Sequence, residues 1–136
     1  MMKPVRRDEI VDWMTYEEGR AAFRARVLAA KACRRAQFGP HFTLLFENRL
    51  TVRYQIQEMV RVERIVREAD IRHEIDTYNE ILGGDGELGC TLLVEIEDPA
   101  RRDVALQEWW ALPERVYLRL DDGTRVHARF DPRQRG

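Results

Sequence analysis

HFTLLFENRLTVRYQIQEMVRVERIVRE, residues 41–68, carries two periodicities back to back, and the join between them decides the fold. In its first part, Phe42, Leu44, Leu45 and Phe46 are apolar on both faces of an extended chain. That pattern predicts a buried strand over residues 41–47. In its second part the period changes from two to 3.6. At about 100° per residue, Val52, Ile56, Met59, Val60, Val62 and Val66 share one broad apolar face. Asn48 or Thr51 can cap the helix, which is predicted over about residues 51–68. A strand that feeds directly into an amphipathic helix makes the chain a mixture of α and β, and the elements on either side complete an α+β reading.

Upstream, a short helix is predicted over residues 8–14. A longer one follows over about residues 16–32, with six alanines and a stripe of Tyr16, Phe23, Val27 and Ala30. Gly39-Pro40 breaks this pattern, and residues 35–38 can pair with the 41–47 strand across it. Downstream, Ile71, Ile75, Tyr78 and Leu82 mark a helix over residues 70–82, ended by Gly83-Gly84-Asp85-Gly86. Leu88, Cys90, Leu92, Val94 and Ile96 alternate onto one face of a strand over residues 88–97, which makes Cys90 a small core residue. Asp98-Pro99 starts a helix that runs to Trp110, and Pro113 closes it. A hairpin of residues 115–120 and 124–130 turns around Asp121-Asp122-Gly123. The expected architecture is one domain over residues 1–136: an antiparallel sheet of four or five strands with helices packed on one side.

Composition narrows the function classes. The 136 residues suit one core that needs no disulfide or metal to fold. The net charge of −1 argues against a general nucleic-acid binder. The charge is unevenly spread, however. Residues 1–40 hold nine basic and five acidic side chains, residues 41–100 six and thirteen, and residues 101–136 eight and six. An acidic middle between basic ends allows self-complementary docking or an acidic surface for a partner, besides ordinary surface charge. Arginines outnumber lysines 21 to 2, as a GC-rich genome would also produce. The first seven residues carry three positive charges, Lys3, Arg6 and Arg7, and no apolar signal region follows. No run approaches the ~18 apolar residues of a membrane span. With two distant cysteines, Cys33 and Cys90, the expected setting is the cytoplasm, with reduced thiols.

Nucleophilic chemistry is poorly supplied. The chain has no serine, which excludes a Ser-His-Asp triad. Gly83-Gly84-Asp85-Gly86 lacks the lysine of a phosphate loop. One carboxylate stands out. Glu63 follows Val52 by eleven positions, about 20° around the 51–68 helix, and is expected near the middle of its core-facing side. A buried carboxylate needs a cation, a donor or a proton. It is read as an ion pair with Arg20, Arg24 or Arg49, or alternatively as a functional carboxylate. A metal set would draw on His41, Glu58, Glu63 and His73, but the one Asp70-x-x-His73 spacing is a weak match to di-iron ligation. No metal or other cofactor is expected.

The terminal hairpin offers the most specific candidate. A three-residue Asp121-Asp122-Gly123 loop sets Leu118 opposite Val126 and Val116 opposite Ala128, giving an apolar face. The other face then pairs Arg115 with Arg129, Tyr117 with His127 and Arg119 with Arg125. Like charges directly opposite each other are unfavourable by a few tenths to about 1 kcal/mol per pair. Solvent, counter-ions, acidic residues of this chain or a partner's anions would relieve them.

Three blocks resemble an uncharacterised bacterial family built on a domain of unknown function: GPHFTLLFENRLTVRYQIQEMVRVERI at 39–65, HEIDTYNEIL at 73–82 and GELGCTLLVEI at 86–96. The resemblance covers most of the chain and brings no established activity. It implies a redox or oxidative-stress setting, because genes of that family neighbour those of rubrerythrin-like and iron–sulfur proteins. It also implies a further C-terminal strand in relatives, beyond the point where this chain stops. The expected function is therefore that of a non-enzymatic accessory or interaction protein with a protein partner, for which the resemblance implies a redox protein as one candidate. Nucleic acid and membrane are not expected partners. The alternative is a metal-binding, redox-associated protein that uses carboxylates of the 51–68 helix.

Overall fold

Asp12 decides where the first long helix begins. Its carboxylate accepts hydrogen bonds from the Thr15 amide at 2.9 Å and the Thr15 hydroxyl at 2.7 Å. Trp13 is thereby the first helical residue, and one helix, α1 (Trp13–Ala32), replaces the two expected over 8–14 and 16–32. Among the described residues, a single 3-10 turn, Arg7–Glu9, precedes it. The computed structural model describes residues 3–130, and these divide between Glu95 and Ile96 into two compact units.

In the first unit, α1 is followed by β1 (Arg35–Phe38) and β2 (Phe42–Phe46), then α2 (Arg49–Val62), α3 (Glu68–Asn79) and β3 (Cys90–Val94). The expected hairpin across Gly39-Pro40 is present: Phe38 pairs with Phe42 and Arg35 with Leu45. Gly39, at φ 63°, supplies the left-handed residue that the turn requires. β3 joins the other side of β2, with Phe46 opposite Cys90 and Phe42 opposite Val94. The sheet is antiparallel, in the order β1-β2-β3. In the second unit, α4 (Pro99–Glu108) precedes β4 (Tyr117–Arg119) and β5 (Arg125–His127), which among the described residues pair only with each other. The class is α+β as expected. The strand count is corrected: three strands share one sheet and two form a separate hairpin, because β4 and β5 contribute no ladder to β1–β3.

The principal core is helical. Val52, Ile56 and Val60 of α2 are at most 1% exposed and pack with Ile71 and Ile75 of α3, Leu82, Val5 and Ile10. Burying each such side chain contributes roughly 1.5–3 kcal/mol. Two amide side chains fasten the N-terminal segment to these helices. Gln57, 2% exposed, accepts from the Val11 N–H at 2.8 Å and donates to the Val11 carbonyl at 3.1 Å. Asn79 holds Val5 in the same way, at 2.8 and 2.9 Å. Each amide imitates one rung of a β-ladder, so a segment without strand partners still has its backbone satisfied at two points.

α2 begins as its sequence suggests, with Asn48 and Thr51 exchanging side-chain bonds to each other's backbone N–H. It ends six residues before the expected end. The Ile65 N–H reaches back to the Val60 carbonyl at 3.0 Å and the Arg64 N–H to that of Arg61 at 3.2 Å. These are the two bonds of a Schellman cap, with Arg64 in the left-handed conformation at φ 50° where glycine is usual. Ile65 packs onto the core cluster that contains Val60, and the Arg64 guanidinium lies 5.1 Å from the Trp13 ring centre. Those contacts offset the left-handed strain. Val62 and Val66, expected on the core face, are consequently 65% and 74% exposed. Cys90, expected in the core, is also exposed. Among the described residues, no helix is long and apolar enough to cross a membrane.

Candidate functional site: the basic face of the terminal hairpin

The hairpin of the second unit closes on a tight turn. The Gly123 N–H donates to the Leu120 carbonyl at 2.9 Å, and the Leu120 N–H to the Thr124 carbonyl at 2.8 Å. Gly123, at φ 87°, takes the left-handed position that ends a three-residue loop. Asp122 accepts from the Thr124 N–H at 2.9 Å. Hydrogen bonds from the Thr124 side chain and backbone hold its carboxyl below the usual carboxylate range. The loop thus sets the register: Tyr117 opposite His127, Leu118 opposite Val126, Arg119 opposite Arg125.

Strand alternation then gathers Tyr117, Arg119, Arg125 and His127 on one face. The Tyr117 and His127 rings lie 5.4 Å apart at 42°. The Arg125 guanidinium leans diagonally over Tyr117, 4.9 Å from its ring centre, a contact worth about 0.5–1 kcal/mol at an exposed site. Tyr117 remains 42% exposed. Neither Arg119 nor Arg125 forms an ion pair among the described residues of this unit. Arg115 departs from expectation. It closes a 3-10 turn, Leu112–Arg115, so the ladder stops at the bond from the Ala128 N–H to the Val116 carbonyl, and Arg115 is not opposed to Arg129. Arg129 follows β5 and is exposed.

The carboxylate and metal candidates fall elsewhere. Glu63 is not buried: it is the exposed C-cap of α2, since the helix whose phase would have carried it inward has ended at Val62. A carboxylate of α2 that does meet the protein interior is Glu58, five positions earlier. It accepts from the Tyr16 hydroxyl at 2.7 Å, Arg20 Nε at 2.9 Å and Arg20 Nη2 at 2.8 Å. Arg20 holds the Glu58 carboxyl below its ordinary range, with the Tyr16 hydroxyl assisting against burial. Burial, then the Glu58 carboxylate, pushes the Tyr16 phenol up. His41 lies at the start of β2 with Nδ1 3.2 Å from the Glu95 carbonyl. His73 is exposed on α3. Of the four metal candidates, Glu63 and His73 alone line a common surface depression of about 400 Å³, together with Asp70 and Glu74. Burial, then Glu63, pushes the Glu74 carboxyl up. Among the described residues, no three His, Cys, Asp or Glu side chains form a group that could hold a metal ion.

The sequence reading missed that Arg20 and Tyr16 converge on Glu58. The signal was present in their i, i+4 spacing on α1 and in the position of Glu58 at the margin of the apolar face of α2. A family model described as a protein of unknown function, DUF3501, matches residues 4–136. No curated protein matches the chain. A solved structure is similar to it: a novel protein of unknown function from Burkholderia pseudomallei K96243, at 37% identity and a TM-score of 0.85, over 91% of this chain and 70% of that one.

Proposed function

We propose, for a chain that belongs to DUF3501, a family of proteins of unknown function, a non-enzymatic interaction role in the cytoplasm, in which the basic hairpin face docks an acidic surface of a partner protein. The observation that carries this reading is Arg119 directly opposite Arg125. The ladder holds the roots of the two side chains about 5 Å apart, so the guanidiniums relieve their repulsion only by spreading into solvent or by meeting anions. A carboxylate offers each guanidinium a bidentate partner. Protein is favoured over nucleic acid on two grounds. The total charge of −1 gives little long-range pull toward a polyanion. Arg125 already covers the Tyr117 ring that a base would stack on. Within the family resemblance, a redox or oxidative-stress protein is the partner class to test first. The metal-binding alternative loses support, because both Glu58 oxygens are engaged and Glu63 lies at the exposed helix end.

The test is affinity purification from source cells with the wild-type chain and with Arg119→Glu/Arg125→Glu as baits. The double variant is expected to keep its denaturation midpoint and to lose the partner. The wild-type complex is expected to weaken as salt rises past about 0.1 M, where the screening length is about 10 Å. A double variant that retains every wild-type partner refutes the reading.

A further inference from the structure

In the first unit, a second group of cations is gathered around an aromatic pair that bridges α1 and α2. The rings of Phe23 and Tyr54 lie 6.0 Å apart, centre to centre. The Arg53 guanidinium is 5.0 Å from the Phe23 centre and that of Arg26 is 6.0 Å away. The Lys31 ammonium is 5.2 Å from the Tyr54 centre. Arg24 precedes Lys31 by two turns on the same side of α1, and Arg35 opens β1 just after that helix ends. Among the described residues, none of Arg24, Lys31, Arg35 and Arg53 forms an ion pair.

The acids that act on Lys31 are already committed. Glu47 accepts from the hydroxyls of Thr51 and Thr91, and Glu58 from Arg20 and Tyr16. Burial, with Arg35 and Arg24 adding to it and Glu47 opposing, holds the Lys31 ammonium below its ordinary range. Arg53 Nε is buried and has no hydrogen-bond partner. Lys31 and Arg53 thus flank the Phe23–Tyr54 pair, Arg24 and Arg35 act on Lys31, and Arg53 keeps a donor without a partner.

We propose that Arg24, Lys31, Arg35 and Arg53 form a binding site for a small, multiply charged phosphate anion. One compact group with several acceptor oxygens matches clustered guanidinium and ammonium donors better than a single carboxylate does. A nucleotide base would need a bare ring, whereas cations already lie over both Phe23 and Tyr54. This site is independent of the hairpin face.

The experiment titrates the full chain with pyrophosphate, and separately with inorganic phosphate, by calorimetry at constant ionic strength, alongside thermal denaturation. Saturable binding of one pyrophosphate and a raised midpoint are expected. Arg24→Glu/Arg35→Glu, at two exposed positions, is expected to weaken binding about tenfold or more. Lys31→Gln is expected to weaken it as well. Arg119→Glu/Arg125→Glu is expected to bind as wild type, which separates this site from the hairpin. Absence of saturable heat, or equal affinity in Arg24→Glu/Arg35→Glu, overturns the proposal. Loss of binding in the hairpin variant also overturns it, as does binding of a short DNA duplex without binding of pyrophosphate.

Discussion

Gln57 is the side chain whose replacement tests the packing scheme most directly. Its amide is 2% exposed and makes two bonds to one residue, accepting from the Val11 N–H and donating to the Val11 carbonyl. In Gln57→Leu the volume is nearly kept and both bonds are lost, at about 0.5–1.5 kcal/mol each. The Val11 amide group is left without a partner, which adds up to about 1–3 kcal/mol where water does not reach it. The introduced leucine returns about 1 kcal/mol of apolar burial. The net expectation is a loss of about 2 kcal/mol, or a midpoint lowered by roughly 6 °C for a chain of this size. Gln57→Glu sharpens the test. A glutamate in the same place can still accept from the Val11 N–H, but it must be protonated to donate to the carbonyl. Its pKa in the folded state is therefore expected to rise above the unfolded value of about 4.3. A group raised on folding contributes stability that is present below the unfolded pKa and lost as pH rises through the folded one. Gln57→Glu should approach wild type at pH 4 and fall progressively behind it toward pH 8, while the deficit of Gln57→Leu stays constant. Urea midpoints across that range, with hydrogen exchange read at Val11, measure both. A Gln57→Glu deficit independent of pH, or unchanged exchange at Val11, refutes the clamp.

Further expectations concern the carboxylates and one glycine. Glu58→Gln should lower the thermal midpoint at pH 7, whereas Glu63→Gln, at the exposed end of α2, should leave it within error. Arg20 lowers the Glu58 carboxyl on folding, so its stabilisation is present above the unfolded carboxylate pKa and lost as pH falls through the folded one. The gap between wild type and Glu58→Gln should accordingly close on acidification, and a gap constant down to pH 2 would contradict the pairing. Gly89→Ala should cost about 2 kcal/mol or more in a urea titration, because its Cβ would stand 1.8 Å from the Ile81 carbonyl oxygen, a backbone atom that cannot step aside. A wild-type midpoint would show that this close approach does not persist in solution.

The outcome for Glu63 shows where reading along the chain fails. The 100° advance per residue holds only while the helix lasts, and its end depends on Arg64 adopting a conformation that sequence rules assign to glycine. That choice rests on Ile65 meeting the α2–α3 core and on Arg64 meeting Trp13, a residue 51 positions earlier. Alternation in β4 and β5, by contrast, is local. The register set by Asp121-Asp122-Gly123 could be worked out from patterning alone and is the one present, except that the chain turns at Arg115 before the ladder would have included it.

Local chemistry in the sequence was enough to determine the α+β class, the strand-to-helix join at Asn48, the Gly39-Pro40 hairpin, the core stripe of α3, the Val52, Ile56 and Val60 part of the stripe of α2, and the face that carries Arg119 and Arg125. All of these follow from backbone geometry over a few residues, where side-chain period, caps and turn glycines act without help from elsewhere. Tertiary structure alone decided the division of the strands into three and two, the end of α2, the meeting of Glu58 with Arg20 and Tyr16, and the placing of Lys31 over Tyr54 and of Arg53 over Phe23. Each of these depends on contacts between residues tens of positions apart. Their energies exist only once the helices have docked; a local spacing such as that of Tyr16 and Arg20 sets two side chains on one face but does not name the partner they meet.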